Sequence, residues 1–174
     1  EMRSSLVGSE MCIRDSILIS LSRPKKGRLK SWKLCDYYVK LYGSIEYLKN
    51  NPKISDIKDL TNHKFVNYAD ELIEFPELNY LQEINSNPNI VFSSNSLRSQ
   101  LLAVKNGIGI GLLHSFVAYK EKDLKVILPK KINIKREYWI VVHENNFHLR
   151  RIKAVTDFIT TILNDEKKFL STIK

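Results

Sequence analysis

Four residues in this sequence have types and settings suited to holding a small anion: Ser22, Arg23, Asn95 and Ser96. Asn95 and Ser96 close the run Ser93-Ser94-Asn95-Ser96, which stands between an apolar strand-like segment and the start of a helical one. The first N–H groups of a helix have no partner inside it, and the helix dipole adds positive potential there. A carboxylate or phosphate arriving at that end meets donors already aimed at it. Hydroxyl and amide side chains add hydrogen bonds of their own. The same residues are also ordinary N-caps. The two uses are compatible, because a ligand carboxylate can replace a cap. Ser22-Arg23 forms a second polar loop at the end of another apolar run, and the Arg23 fork can pair bidentately with a carboxylate. A small carboxylate or other anion is the natural guest of this set.

Other constellations lead away from catalysis. Gly107, Gly109 and Gly111 imitate a dinucleotide-binding loop, but in the wrong order. Such a loop follows a strand and opens a helix, whereas this one follows a helix and opens a strand. It reads better as a helix C-cap leading into a strand whose small residues let another backbone come close. His63, His114, His143 and His148 are scattered, and neither Cys12 nor Cys35 stands at metal-ligand spacing from them. No metal and no cofactor is expected. There is no nucleophile elbow, and Asp70, Glu71, Glu74 and Glu77 are spaced like a solvated face rather than a catalytic pair. An enzyme is therefore not expected.

The elements that must position these groups can be read along the chain. It has 174 residues, 43% of them hydrophobic, which suits one domain or two small lobes sharing a hinge. Ile17 to Leu21 reads as a buried strand stopped by Ser22-Arg23-Pro24. Tyr37 to Tyr42 alternates as a second strand. Gly43 and Ser44 open a short helix, Ile45 to Lys49, that Pro52 prevents from continuing. Ser55 to Leu60 suggests a capped helical turn and Phe65 to Tyr68 a strand. Asp70 to Tyr80 suits a helix starting near Pro76. Ile90 to Phe92 is the next strand.

Leu97 to Asn106 is the clearest helix, with Leu97, Leu101, Leu102 and Val104 as its apolar face. Asn95 or Ser96 can cap its start, and Gly107 can sit just past its end. Strands follow at Ile108 to Leu113, Leu124 to Leu128 and Tyr138 to His143, with a short helix at Ser115 to Tyr119. An amphipathic helix runs from Leu149 to Leu163, with Ile152, Val155, Phe158, Ile159 and Leu163 on one side. Strands alternating with helices predict an α/β fold.

The formal net charge is +9. Arg23, Lys25, Lys26, Arg28, Lys30 and Lys33 crowd one stretch, but Pro24 and Gly27 make it a solvated loop rather than a DNA-recognition helix. Two cysteines give no disulfide framework, and no segment reads as a signal peptide or a membrane span. A cytosolic protein is expected. Residues 1–15 show no periodicity and resemble translated sequencing-adapter read-through. They are set apart as non-native. Residues 164–174 read as a frayed tail.

From Ile17 onward the order of segments resembles the effector-binding domain of LysR-type transcriptional regulators. The matching pieces are ILISLSRP, KLCDYYVKLYGSIEYL and SDIKDLTNHKFVNYADEL with PELNYL. SSNSLRSQLLAVKNGIGIGLL, LKVILP and REYWIVVHENNFHLRRIKAVTDFI follow. One departure is Leu113-His114, where the family usually has Leu-Pro.

The resemblance implies a fold like type II periplasmic binding proteins: two α/β lobes with crossover segments and a small ligand held between them. It places lobe I at about 16–65 and 137–163 and lobe II at about 66–136, with lobe I incomplete. It points to the loop at SNS as facing the effector. It also implies that DNA is bound only through an N-terminal winged helix-turn-helix, which this sequence lacks, and that the intact regulator is a homo-oligomer with no membrane contact. The rival readings are a periplasmic-type solute-binding protein, which needs a signal peptide, and an enzyme on a similar scaffold.

Overall fold

A computed structural model describes residues 17–24, 26–69 and 76–165. The expectations for residues 1–15, for 70–75 and for the tail beyond Asp165 fall outside these. The described chain forms two compact units, one holding the residues up to Asp36 and those from Arg136 onward, the other spanning Tyr37–Lys135. Strand order in the first unit is β1 (Ile17–Ser20), β7 (Ile134–His143) and the start of β2 (Leu29–Ser44). In the second it is β2, β5 (Ile110–His114), β3 (Lys64–Asn67) and β4 (Asn89–Ser93), with β6 (Leu124–Ile127) also on β2. β2 and β7 are the two strands whose residues belong to both units.

In the first unit β1 pairs antiparallel with β7, from Ile17 against Val142 to Ser20 against Trp139. Ile140, Val141 and Val142 are fully buried, as befits a strand with a neighbour on each side. β1 was expected to be buried, but Ser20 is its only buried residue and Ile19 is exposed. Among the described residues β7 is its one paired neighbour. The helix α4 (Arg150–Asp165) follows β7. It buries Ile152 and Thr156 and leaves Val155 and Phe158 exposed, which corrects the apolar face expected for it. Ile152, Thr156, Ile159 and Leu163 follow three- and four-residue spacing along the covered side, with Val155 at its margin and Phe158 off it.

β2 is sixteen residues long and begins at Leu29, eight residues before the expected start. Lys30 and Lys33 therefore lie on a strand, and only the earlier part of the basic stretch is a loop. The alternation was hidden because Lys33 is tied down by Asp36 and Glu137, each 2.7 Å away, instead of standing free in solvent.

The second unit is built around β3, which pairs in parallel with β4 on one side and with β5 on the other. Its helix α1 (Ile45–Asn50) is capped by Ser44, whose hydroxyl accepts from the Tyr47 amide. A short 3-10 helix, Ile57–Asn62, starts from a capping box of Asp56 and Asp59. Another short one spans Pro76–Leu78. The helix α2 (Leu97–Lys105) lies between β4 and β5, ends at the Asn106 C-cap, and is followed by Gly107 at φ +73°.

The core of this unit gathers Tyr42, Val66, Ala103, Val104 and Leu113, with Leu97 and Leu101 packed on it. Leu102, expected on that face, is exposed, while Gln100 is buried in its stead. Residues 97, 100, 101 and 104 share a face by three- and four-residue spacing, and 102 points away.

The glycine-thinned strand starts at Ile110 rather than Ile108. Its close backbone approach is real. A Cβ on Gly109 would stand 2.5 Å from the Lys64 carbonyl oxygen. The short helix α3 (Ser115–Ala118) follows β5 directly.

Candidate ligand site

The parallel strands β3, β4 and β5 end together, and ligands of parallel α/β sheets gather outside such carboxyl ends. The loop after β4 carries Asn95 and Ser96, two of the four residues singled out from sequence. The Ala69 amide donates to Asn95 Oδ1 at 3.3 Å, and the Ser94 amide donates to the Asn67 carbonyl at 3.0 Å. These two bonds fasten the loop after β4 to the end of β3. Ser96 is the N-cap of α2: its hydroxyl oxygen accepts from the Ser99 amide at 3.3 Å, and its own amide donates to Ser94 Oγ at 3.1 Å. Asn95 and Ser96 are both exposed.

The capping reading of Ser96 is thus realised. It satisfies one of the helix's first N–H groups, and helical geometry leaves those of Leu97 and Arg98 without an intrahelical acceptor. Because the Ser96 hydroxyl accepts, its proton stays available to donate. Asn95 accepts through its carbonyl oxygen, so its NH2 group can also donate outward.

Sequence reasoning missed the residue that holds this loop. Gln100 is 1% exposed, and its Nε2 donates to the Ser94 carbonyl at 2.6 Å. The signal available was its helical spacing with Leu97 and Val104, which puts a polar side chain on the buried face.

Ser22 and Arg23 belong to the first unit. Ser20 Oγ donates to the Ser22 carbonyl at 2.8 Å, and the Ser22 amide donates back to Ser20 Oγ at 3.3 Å, closing a compact turn after β1. Arg23 is exposed, and its guanidinium carbon stands 5.7 Å from the centre of the Trp139 ring. Stacking holds the fork without using its hydrogen-bond donors. The Trp139 indole in turn donates to Glu137, which carries Lys33.

Two cavities lined by described residues lie elsewhere. One of about 550 Å³ lies in the first unit beside Trp32, Phe147, Ile152 and Thr156. One of about 220 Å³ lies in the second unit by Tyr47, Lys64 and Gly107. None of Ser22, Arg23, Asn95 and Ser96 lines either. Among the described residues no group of histidine, cysteine, aspartate and glutamate could hold a metal ion. Nor is any described helix long and apolar enough to cross a membrane.

The model of the LysR substrate binding domain matches residues 15–163. Among solved structures, the chain is similar to the regulatory domain of CrgA, a LysR-type transcriptional regulator from Neisseria meningitidis. That match has a TM-score of 0.70 at 19% identity and covers 84% of this chain and 74% of the other. It is also similar to the regulatory domain of CcmR from Synechocystis PCC6803 in complex with 2-PG, with a TM-score of 0.69 at 12% identity, over 89% of this chain and 78% of that one. Full-length AphB, the Vibrio cholerae virulence activator, matches with a TM-score of 0.67 at 15% identity, over 84% of this chain and 51% of its own. No curated protein sequence matches significantly.

Proposed function

This chain belongs to the LysR substrate binding domain family, and we propose from that membership that it senses a small anionic effector at the start of α2. The observation that carries the reading is the Ser94-Asn95-Ser96 loop. It is fastened to β3, it lies at the carboxyl ends of parallel strands, and it presents helix N–H groups outward. Ser22 and Arg23 carry a matching proposal in the first unit, where the stacked guanidinium is a fixed charge for a carboxylate. The CcmR regulatory domain, solved with 2-PG, gives a precedent for a small ligand on this fold.

In this reading the chain binds and does not catalyse. It acts as the regulatory part of a cytosolic homo-oligomeric regulator, and DNA is contacted by a separate N-terminal domain. Ligand binding regulates only if the ligand prefers one of two states of the protein.

The experiment is a thermal-shift screen of small carboxylates and phosphate-bearing acids on the wild type, Asn95→Ala and Ser96→Ala. A stabiliser of the wild type that loses its effect in Asn95→Ala supports the reading. Stabilisation that is equal in all three proteins refutes it.

A further inference from the structure

The cavity of about 220 Å³ in the second unit has no part in the anion site. It lies at the amino ends of β3 and β5: Lys64 opens β3, and Ile108 stands two residues before β5. Two helices finish there. Asn50 is the last residue of α1, and Asn106 is the C-cap of α2. The last carbonyls of a helix have no partner inside it, and the dipole makes that end negative. Nine helical residues put this place on the order of 14 Å from the start of α2.

One residue of each charge lines the cavity. Glu46 and Lys64 are both exposed, and neither takes part in an ion pair, with each other or with a neighbour. Their backbones are tied together, because the Lys64 amide donates to the Tyr47 hydroxyl at 3.0 Å, next in the chain to Glu46. The asparagines add acceptors. Asn51 Nδ2 donates to the Tyr47 carbonyl and Asn106 Nδ2 to the Leu102 carbonyl, each at 2.8 Å. Both amides thus turn their NH2 groups back onto their own helices. Neither side-chain oxygen accepts a hydrogen bond within the protein. Ile108, 42% exposed, adds an apolar wall.

We propose that this cavity is a second ligand site and that it takes a small aliphatic α-amino acid. A lone anion entering it would meet the Glu46 carboxylate, and a lone cation would meet the Lys64 ammonium. A zwitterion satisfies both charges at once. Its ammonium has three donors to place, and Glu46, Asn51 and Asn106 offer acceptors at the negative ends of the helices. Its carboxylate accepts from Lys64. Its side chain lies on Ile108. The volume sets the size, since it falls below the roughly 300 Å³ at which pockets for drug-sized ligands begin.

The test uses the 174-residue chain and backbone amide NMR, with three probes of one carbon skeleton. L-Valine carries both charges, isovalerate lacks the ammonium and isobutylamine lacks the carboxylate. Valine is expected to give saturable shifts at Tyr47, Asn51, Lys64, Asn106 and Gly107. The other two should bind there about tenfold more weakly, each having lost a charge-assisted hydrogen bond. Glu46→Gln should weaken valine about tenfold and leave isovalerate unchanged. Lys64→Gln should weaken valine as much and leave isobutylamine unchanged. Both residues are exposed, and if a variant fails to fold the three wild-type titrations decide. Absence of saturable shifts with valine, equal binding of all three probes at these amides, or variants that bind valine like the wild type each overturns the proposal. Valine shifts confined to Asn95 and Ser96 also overturn it, while leaving the site at the start of α2 standing.

Discussion

The Ala69 amide donates to Asn95 Oδ1 at 3.3 Å, so a side chain at the end of β4 completes the backbone hydrogen bonding at the end of β3. The bond fixes which way the Asn95 amide faces, and it leaves the NH2 group for a ligand. Replacing Asn95 with Ala should change folding stability by no more than about 0.5 kcal/mol, because the residue is exposed. It should weaken effector binding by about 1–3 kcal/mol if a buried ligand hydrogen bond is lost. Asn95→Asp keeps the acceptor for Ala69 but sets a negative charge against an anion, and should weaken binding further. Calorimetric titration beside urea unfolding separates the two effects.

Gln100 supports that loop from below. With its side chain removed in Gln100→Ala, the Ser94 carbonyl loses its 2.6 Å partner. A loss of about 1–3 kcal/mol in urea unfolding is expected. Ligand affinity should fall as well, although Gln100 itself is buried beneath the loop. Unchanged affinity in a folded Gln100→Ala protein would mean that the loop does not need this support.

Two glycines make a contrast that urea midpoints can read. An added methyl at Gly109 meets backbone, 2.5 Å from the Lys64 oxygen, so β3 or β5 must shift. Gly109→Ala should cost about 3 kcal/mol, at the upper end of overpacking effects. At Gly107 the nearest atom is 3.5 Å away and the difficulty is φ of +73°. Gly107→Ala should cost about 1 kcal/mol. The reverse ranking would contradict the close pairing of β5 with β3.

Acid should destabilise the fold through His114. Burial lowers its pKa from 6.5 to about 4, so between those values the unfolded chain binds more protons than the folded one. The stability held in the neutral ring is fully present above pH 6.5 and is lost as pH falls towards 4. Over the whole window the loss is on the order of 3 kcal/mol. His63, also lowered by burial, acts in the same direction. Asp56 and Asp59 are lowered from 3.8 by hydrogen bonds, so their contribution is lost only at still lower pH. His114→Leu should flatten most of the loss in denaturation curves taken across this range. It should also leave the protein at least as stable as wild type at neutral pH, because an unsatisfied polar group is gone.

Much of this architecture could be read from residue patterns. The helix Leu97–Lys105 follows from its capping serine, its apolar spacing and Gly107, all of which act within a few residues of chain. The strand ending in His143 follows from its run of buried aliphatics. What escaped depended on contacts distant in sequence. Lys33 on β2 looked like loop because its partners Asp36 and Glu137 could not be foreseen. Leu102 is exposed and Gln100 buried because angular position on the helix, not hydrophobicity alone, decides which side meets the core. Ser94, Asn95 and Ser96 were visible as a capping cluster. Their attachment to Ala69 exists only once β3 and β4 are in register.

Backbone amide NMR of the chain during titration with the small acid that stabilises it most in the thermal screen tests the central claim most directly. The account predicts saturable shifts concentrated at Ala69, Asn95, Ser96, Leu97 and Arg98, and their loss in Asn95→Ala. Saturable shifts centred elsewhere, for instance at the cavity beside Trp32 and Phe147, with these amides unmoved, would contradict it.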